Sequence, residues 1–321
     1  MKNVFVLDAY DRKLLYELDK DSHTSISNLA KALRRSKQFV SFRLRRLQEE
    51  GVITNFTAIV DMSKLGFFTF RVYLKFQRMS SERMKDVIEY LKGMKEVWTI
   101  AICHGKWDLA FFVGIRKISD FHRIWDEILL LYKEYIRTYD VSLYAPVYNF
   151  NRTFFMNEEA KTITRVYGDG TKVKFDDLDW EIIKLYAPNV RLSSLEIARK
   201  LGVSPDTIRA RIRKLEKKKI LCGYKIGLNT EKLGYENYRI DLNLISTKRN
   251  EEILNYCKFH KNIYQVNKTI GGSDFEMELV VKDLHELLDI IDEIETKFSD
   301  VVNFVEYFSF STYHLLTYIP D

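Results

Sequence analysis

The sequence has little of what marks secreted, membrane-spanning or low-complexity proteins. It contains three cysteines, Cys103, Cys222 and Cys257, whose odd number and wide spacing argue against a disulfide framework or a zinc site. Only 4 prolines and 13 glycines occur in 321 residues, which favours packed regular structure over disorder. No apolar run approaches the roughly 18 residues needed to cross a bilayer, and the N-terminal segment becomes charged too early for a signal peptide. We therefore expect a soluble, cytoplasmic protein.

Catalytic motifs are also scarce, whereas basic charge is abundant and localised. The six histidines have no metal-ligand spacing and no glycine-rich phosphate loop occurs, so we expect no metal and no cofactor. The net charge is +6, and residues 1–168 carry 28 basic and 20 acidic side chains. Residues 199–219 carry nine basic and two acidic side chains. Such local concentration is typical of a nucleic-acid contact surface.

The chain contains an internal repeat. Residues 8–67 align without a gap on residues 176–235, with 12 identities in 60 positions at a constant offset of 168. Each copy begins with three short amphipathic helices, for which Asp8, Ser25 or Ser27, and Ser36 are the predicted N-caps of the first copy. Because very few residues separate the second helix from the third, each unit is predicted to be a helix-turn-helix.

A strand-rich region follows each helical unit. In the first copy, residues 69–76, 96–103, 108–115 and 138–150 read as strands and residues 81–92 and 118–135 as helices. The corresponding stretches of the second copy are 237–246, 250–260, 263–270, 275–282, 283–298 and 301–318. The order is β-α-β-β-α-β, so the predicted class is α+β, a tandem repeat of a helix-turn-helix domain and a ferredoxin-like sandwich domain.

These patterns predict four domains and a linker, with bounds 1–56, 57–150, 151–174 (linker), 175–224 and 225–321. The linker has no counterpart in the alignment of the two copies. Gly168-Asp169-Gly170 marks a turn within it, and a hairpin is one option for its structure.

The combination resembles the Lrp/AsnC family of feast/famine transcriptional regulators, which are prokaryotic. The resemblance rests on the spacing Ser36, Val40, Arg43, Leu44 and Leu47, on the following Lys64-Leu65-Gly66, and on their second-copy counterparts. It implies sequence-specific binding to double-stranded DNA, sheet-mediated pairing of two copies, and an amino acid or similar small effector. Two copies in one chain are this sequence's main departure from the family.

The outward faces of the third helices are the predicted base-reading surfaces. With the apolar positions facing inward, the candidates in the two copies are Gln38, Ser41, Phe42 and Arg45, and Asp206, Arg209, Ala210 and Arg213. Basic residues at the edges of these faces are the predicted phosphate contacts, namely Arg34, Arg35, Lys37, Arg43, Arg46, Arg199, Lys200, Arg211 and Lys214. For Arg43 and Arg211, pairing within their own unit is the alternative.

The resemblance also implies an effector site at a G-x-[aromatic]-D motif. Gly105-Lys106-Trp107-Asp108 matches it and gives Gly105, Trp107 and Asp108 as candidates. In the second copy the candidates are Gly272 and Asp274, but the stretch from Gly271 to Glu276 reads as carrying an extra residue. A plain turn between strands is the alternative.

Two other functions stay open beside DNA-binding regulation. Siroheme decarboxylases resemble the same family and occur as paired or fused copies, with an H-x-Y-N stretch where this chain has His104-Gly105-Lys106-Trp107. An effector sensor without DNA binding is the other alternative. We expect a regulator that is not an enzyme, whose two halves pair with each other, although exchange between chains and further homo-oligomers would use similar surfaces.

Overall fold

The helical units form as predicted. The computed structural model describes residues 4–156, 160–168, 170–317 and 319–320; Asp169 of the predicted turn and Tyr318 at the end of the last predicted strand lie outside them. The helices of the two units are α1 (Ala9–Lys20), α2 (Ile26–Leu33) and α3 (Lys37–Glu49), and α6 (Asp177–Tyr186), α7 (Ser194–Leu201) and α8 (Pro205–Lys217).

Side-chain caps explain where these helices begin. The Asp8 carboxylate accepts hydrogen bonds from the backbone N–H groups of Tyr10 and Asp11, and Ser25 and Ser36 cap α2 and α3 in the same way. These contacts satisfy donors that have no partner within the helix. The buried apolar residues of α1, α2 and α3 recur at helical spacing, so each helix packs one face into a shared core.

The sandwich elements also follow the predicted order. Those of the first copy are β2 (Phe68–Phe76), α4 (Ser81–Lys92), β3 (Val97–Gly105), β4 (Leu109–Ile115), α5 (Ile118–Tyr132) and β5 (Ile136–Phe150). Those of the second are β8 (Glu236–Leu244), α9 (Asn250–Phe259), β9 (Ile263–Ile270), β10 (Phe275–Val281), α10 (Leu284–Lys297) and β11 (Val302–Leu316). Alternation along the strands gives each sheet one face buried under its own two helices and one face turned toward the other copy.

The two sandwich sheets join into one ring. The strand order is β2-β4-β3-β11-β8-β10-β9-β5, and β5 also pairs with β2, which closes the circuit of eight strands. The long strands make the joins, because β5 pairs with β9 of the other copy and β11 pairs with β3. Closure leaves no free edge between the copies, so the two halves of this one chain pair with each other.

A second connection between the halves was missed by the sequence interpretation. Residues directly after the third helix of each unit form β1 (Ile53–Val60) and β7 (Leu221–Leu228), which pair as an antiparallel ribbon. Thr57 lies opposite Lys225, which is its own counterpart at the repeat offset of 168. The approximate two-fold axis that relates the copies therefore passes through this pair.

The linker packs against both connections. Its strand β6 (Thr164–Tyr167) runs antiparallel to the end of β5, so in the described residues the linker adds a strand to the sheet and does not form the optional hairpin within itself. Arg165 donates to the carbonyl oxygens of Asp19 and Tyr224, at 2.7 and 3.1 Å, and thereby contacts α1 and β7. Among the described residues, no helix combines the length and apolar character that crossing a membrane requires.

Candidate nucleic-acid interface

The helices α3 and α8, called the recognition helices below, expose the side chains predicted to read bases. In α3, Gln38, Ser41, Phe42 and Arg45 are exposed. In α8, Asp206, Arg209, Ala210 and Arg213 are exposed. Phe42 leaves 56% of its surface in solvent, which is unusual for a large aromatic side chain with a core available to it. The structure thus brings each predicted set together on one helical face.

The ion pairs on these faces join residues about one helical turn apart, and they are exposed. Arg45 Nε lies 3.8 Å from Glu49 Oε1, one turn further along α3, and both side chains are 69% exposed. Arg209 pairs with Asp206 within α8 at 2.5 Å. Exposed pairs of this kind contribute about 0.2–1 kcal/mol, so they can be exchanged for contacts with DNA.

Arg43 and Arg211, which are predicted to contact phosphates, instead form ion pairs within their own helical units. Arg43 Nη1 lies 3.0 Å from Asp11 Oδ1 and also binds Asp8, while Arg211 Nη1 lies 2.9 Å from Asp179 Oδ1 and 2.5 Å from Asp176 Oδ2. Both arginines therefore clamp the recognition helix to the capped start of the first helix. This geometry matches the alternative, pairing within the unit.

A second basic residue joins each clamp. Arg46 Nη2 lies 2.6 Å from Asp11 Oδ2, and Lys214 Nζ lies 3.7 Å from Asp179 Oδ2. Arg46 and Lys214 thus have a structural partner, although 36% and 46% of their side chains stay exposed. The sequence did not identify Asp11 and Asp179 as the partners of these basic residues, although the two aspartates are counterparts at the repeat offset of 168. The available signal was that both the aspartates and the arginines recur in the two copies.

The remaining phosphate candidates lie at or just after the end of the second helix of each unit, except Lys37, which begins α3. Arg34, Lys37, Arg199 and Lys200 are exposed. Arg34 ends α2 in the left-handed conformation, with φ of 54°, and Gly202 takes the corresponding place after α7. Arg35 is held over the ring of Tyr10, with 4.5 Å between the guanidinium carbon and the ring centroid. Its charge stays at the surface beside α3.

The loop of the predicted effector site is tightly held. Asp108 Oδ2 accepts the backbone N–H of Phe76 at 2.8 Å, and Asp108 Oδ1 lies 2.8 Å from Lys75 Nζ. Gly105 has φ of 112°, which suits glycine, and Trp107 is buried inside the ring. Asp108 therefore has partners that hold the turn between β3 and β4.

The second copy builds the same turn without an insertion. Asp274 Oδ2 accepts the backbone N–H of Leu244 at 2.7 Å, as Asp108 does for the equivalent Phe76. Gly271, with φ of 78°, stands where Gly105 does, so Gly271-Gly272-Ser273-Asp274 corresponds residue for residue to Gly105-Lys106-Trp107-Asp108. The extra residue read from the sequence is thus corrected, and Ser273 replaces the tryptophan.

Among the described residues, the structure shows neither a reactive cysteine site nor a metal site. Burial raises the pKa of the Cys103 and Cys222 thiols to about 12, so both stay protonated at neutral pH. No group of three or more possible ligands is close enough together to hold a metal ion within the part of the chain that the structure describes.

Comparisons with known proteins agree with this geometry. Residues 175–216 match the AsnC-type helix-turn-helix domain, and residues 7–54 match a winged helix-turn-helix DNA-binding domain. The HTH-type transcriptional regulator Ptr1 of Methanocaldococcus jannaschii is 33% identical over 112 residues, which are 35% of this chain and 76% of that protein. An uncharacterised HTH-type transcriptional regulator of Pyrococcus furiosus is 33% identical over 120 residues, covering 37% of this chain and 80% of its own length.

One solved structure covers both copies. The crystal structure of the siroheme decarboxylase NirDL is similar with a TM-score of 0.64, over 97% of this chain and 94% of that chain. Their sequences are 14% identical, so the similarity extends to the fold alone.

Proposed function

Because this chain belongs to the Lrp/AsnC family of transcriptional regulators, we propose that it binds an operator of two unlike half-sites through its two recognition helices. It is a DNA-binding regulator of transcription. The operator proposal rests on the ribbon of β1 and β7, whose strands begin four residues after α3 and α8 end. One approximate two-fold axis therefore relates the recognition helices, as a dyad relates the half-sites of an operator.

The two helices differ in the residues that would contact bases. Arg45 and Arg213 occupy the same position and suit guanine, whereas Gln38 in α3 suits adenine and has Asp206 as its counterpart. Phe42, which can contact a thymine methyl group, has Ala210 as its counterpart, and Ser41 has Arg209. We therefore expect an imperfect palindrome.

Affinity that does not depend on sequence would come from the exposed basic residues near the helix starts. Arg34, Arg35 and Lys37 serve the first unit in this proposal, and Arg199 and Lys200 the second. Arg43 and Arg211 act as clamps that orient the helices. The partly exposed Arg46 and Lys214 combine a clamp with a charge that can still reach a phosphate.

An amino-acid effector at the Gly105–Asp108 turn stays a prediction from the family resemblance. A ligand there would compete with Lys75 for Asp108, because that carboxylate already has its partners. Titration calorimetry of the common amino acids against the wild-type chain and Asp108→Ala tests the site. Binding that Asp108→Ala leaves unchanged would exclude it.

We propose that the chain is a cytoplasmic regulator without decarboxylase activity. His104, which stands in the region of the decarboxylase-type histidine stretch, is exposed on β3 and points away from the cluster of buried residues around Trp107. The ultraviolet–visible spectrum of the purified protein checks this. A haem-like absorbance band that copurifies with the protein would favour the enzyme instead.

The base-reading assignment is tested by substitution of the two matched arginines. Arg45→Ala and Arg213→Ala should each lose about 1–3 kcal/mol of binding to DNA selected from a random pool, and little binding to random DNA. The matched control is Arg123→Ala, an exposed arginine paired with Glu127 on a sandwich helix. Equal losses on selected and random DNA would show that Arg45 and Arg213 contact only phosphates, and a perfectly symmetric selected sequence would contradict unlike half-sites.

A further inference from the structure

A partly open space separates the ribbon of β1 and β7 from the ring of strands. This cavity has a volume of about 1070 Å³ and is bounded by β1 and β7 on one side, by the linker, and by the open end of the ring. Small-molecule sites usually occupy about 300–1,000 Å³. The cavity lies apart from the Gly105–Asp108 turn, none of whose residues line it within the described chain.

The same β-bulge occurs on both sides of the cavity. Residues of β3 and β4 correspond to residues of β9 and β10 that lie 166 positions further on, as the bounds of the four strands indicate. The register slips between Val97 and Thr99 opposite Phe112, and again between Ile263 and Gln265 opposite Glu278. Each bulge redirects one side chain, Trp98 in the first copy and Tyr264 in the second, so both line the cavity.

The equivalent positions on the two sides carry different chemistry. The first-copy wall has Trp98, Thr99 and Phe112, and the second-copy wall has Tyr264, Gln265 and Glu278 at the corresponding places. This difference in side chains is not required for closing the ring, because the strands of the two copies pair through the backbone in the same way. The difference gives the cavity one aromatic wall and one acidic wall.

The acidic wall holds the Glu278 carboxylate, which accepts hydrogen bonds from neutral side chains. Glu278 accepts hydrogen bonds from the Tyr264 hydroxyl at 3.2 Å, from Gln265 Nε2 at 3.2 Å and from Asn267 Nδ2 at 3.0 Å. Burial raises the pKa of Tyr264 well above its usual range, so its hydroxyl stays a donor. These three neutral donors fix the orientation of the carboxylate.

The opposite wall presents aromatic faces. Phe112 packs edge-to-face with Trp98 and with Tyr144, at centroid distances of 6.1 and 5.9 Å, and all three line the cavity. Aromatic faces beside a carboxylate are the surroundings that bind organic cations, through attraction to the ring quadrupole and to the negative charge.

Lys225, on the ribbon above this space, is one of several charged side chains that line the cavity beside Glu278; the others include Asp19, Arg116, Arg152 and Lys172. Burial lowers the pKa of Lys225 to about 8; Arg152 and Arg165 also lower it, while Asp19 and Glu278 raise it. The lysine is therefore still mostly protonated at neutral pH, although it loses its proton at a lower pH than an ordinary lysine does. A cation that enters the cavity would compete with Lys225 for electrostatic attraction to the Glu278 carboxylate.

From these contacts we propose that the cavity binds an organic amine with an aromatic body. Its ammonium group lies against Glu278 and its ring lies between Trp98, Phe112 and Tyr144. The ligand bridges the ribbon that carries the recognition helices and the ring that joins the two halves.

Calorimetry without DNA tests the proposal independently of the operator. Tryptamine is the probe, and indole-3-propionate, which has a similar ring but an acid in place of the amine, is its matched control. We expect tryptamine to bind the full chain at least tenfold more tightly than indole-3-propionate. Equal binding of the two, tighter binding of the acid, or binding of neither would overturn the proposed ligand class.

Two cavity variants should move tryptamine affinity in opposite directions. Glu278→Gln should weaken it at least tenfold, whereas Lys225→Met should strengthen it because a competing positive charge is removed. Glu252→Gln, at an exposed helix pair with Arg249, is the control and should change nothing. Melting curves establish that each variant folds, and Phe112→Leu on the opposite wall, expected to weaken binding severalfold, replaces Glu278→Gln if that variant does not. Unchanged affinity in a folded wall variant, or weaker binding in Lys225→Met, would refute the site.

Discussion

At the scale of single residues, the interior of the ring is held by charges that have no access to solvent. Arg71 and Arg239, which correspond to each other in the two copies, are both fully buried and both pair with Glu276. Asp241 lies 2.5 Å from Arg239, and both arginines bind the Tyr73 hydroxyl. Burial opposes the charge on Arg239, but Asp241 and Glu276 outweigh it and hold its pKa well above the usual value.

Removal of the shared carboxylate should be costly. Glu276→Gln leaves two buried guanidinium groups with one carboxylate, so we expect a loss of about 3–5 kcal/mol in the free energy of unfolding. Denaturant titration followed by circular dichroism measures it. The control, Glu252→Gln, breaks an exposed pair and should lose at most about 1 kcal/mol. Similar losses in the two variants would mean that the buried cluster contributes no more than a surface pair does.

At the scale of elements, the caps of the first helices also set the positions of the recognition helices. Asp176 caps α6 and binds Arg211 of α8, and Asp8 does the same between α1 and α3. The hydrogen bond from Arg211 and the backbone N–H of Asp179 lower the pKa of Asp176. A carboxyl group with a lowered pKa in the folded state stabilises that state above its unfolded pKa. The contribution is lost as the pH falls through the folded value.

The second helical unit should therefore become less stable in acid. Asp176→Ala should lose about 0.5–2 kcal/mol at neutral pH, because both the cap and the ion pair are removed. Asp176→Asn keeps a capping oxygen and should lose less. Hydrogen exchange of α6 amides measures both. The two losses should start to shrink below about pH 4, the usual value for an unfolded aspartate, and should continue to shrink as the pH falls through the lower folded pKa of Asp176. A loss that stays constant from pH 7 to pH 3 would show that the charge has no part in it.

At the scale of the whole molecule, the buried cluster favours pairing of a first half with a second half over pairing of two first halves. The first-copy counterpart of Glu276 is Ala110, which is buried in the same interior. Two first halves paired with each other would bury two copies of Arg71 without the carboxylate that now neutralises it. The closed ring thus favours one first half with one second half.

Separately produced halves should consequently find each other. We expect residues 1–160 and 165–321 to copurify when expressed together, and the first half alone to form no stable dimer. Size-exclusion chromatography with light scattering distinguishes these states. First-half dimers as stable as the mixed pair would contradict a directed pairing.

The sequence by itself determined the units of this protein. Helix α4 and strand β9 have the predicted bounds, 81–92 and 263–270, and both recognition helices expose the predicted side chains. Caps, turns and apolar periodicity depend on residues a few positions apart, so they can be predicted from short stretches of the sequence. The offset of 168 exposed the duplication, because both copies retain the same caps and core positions.

Only the tertiary structure decided how the units meet. The ribbon of β1 and β7, the pairing of β5 with β9, and the contact of Arg71 with Glu276 join residues far apart in the chain. Local periodicity cannot indicate which strand pairs with which, because many partners satisfy the same alternation. The clamp role of Arg43 depends on a carboxylate 32 positions away, and the shape of the cavity depends on two bulges, one in each copy of the sandwich. Such features arise from long-range packing, which fixes geometry that a local pattern leaves undetermined.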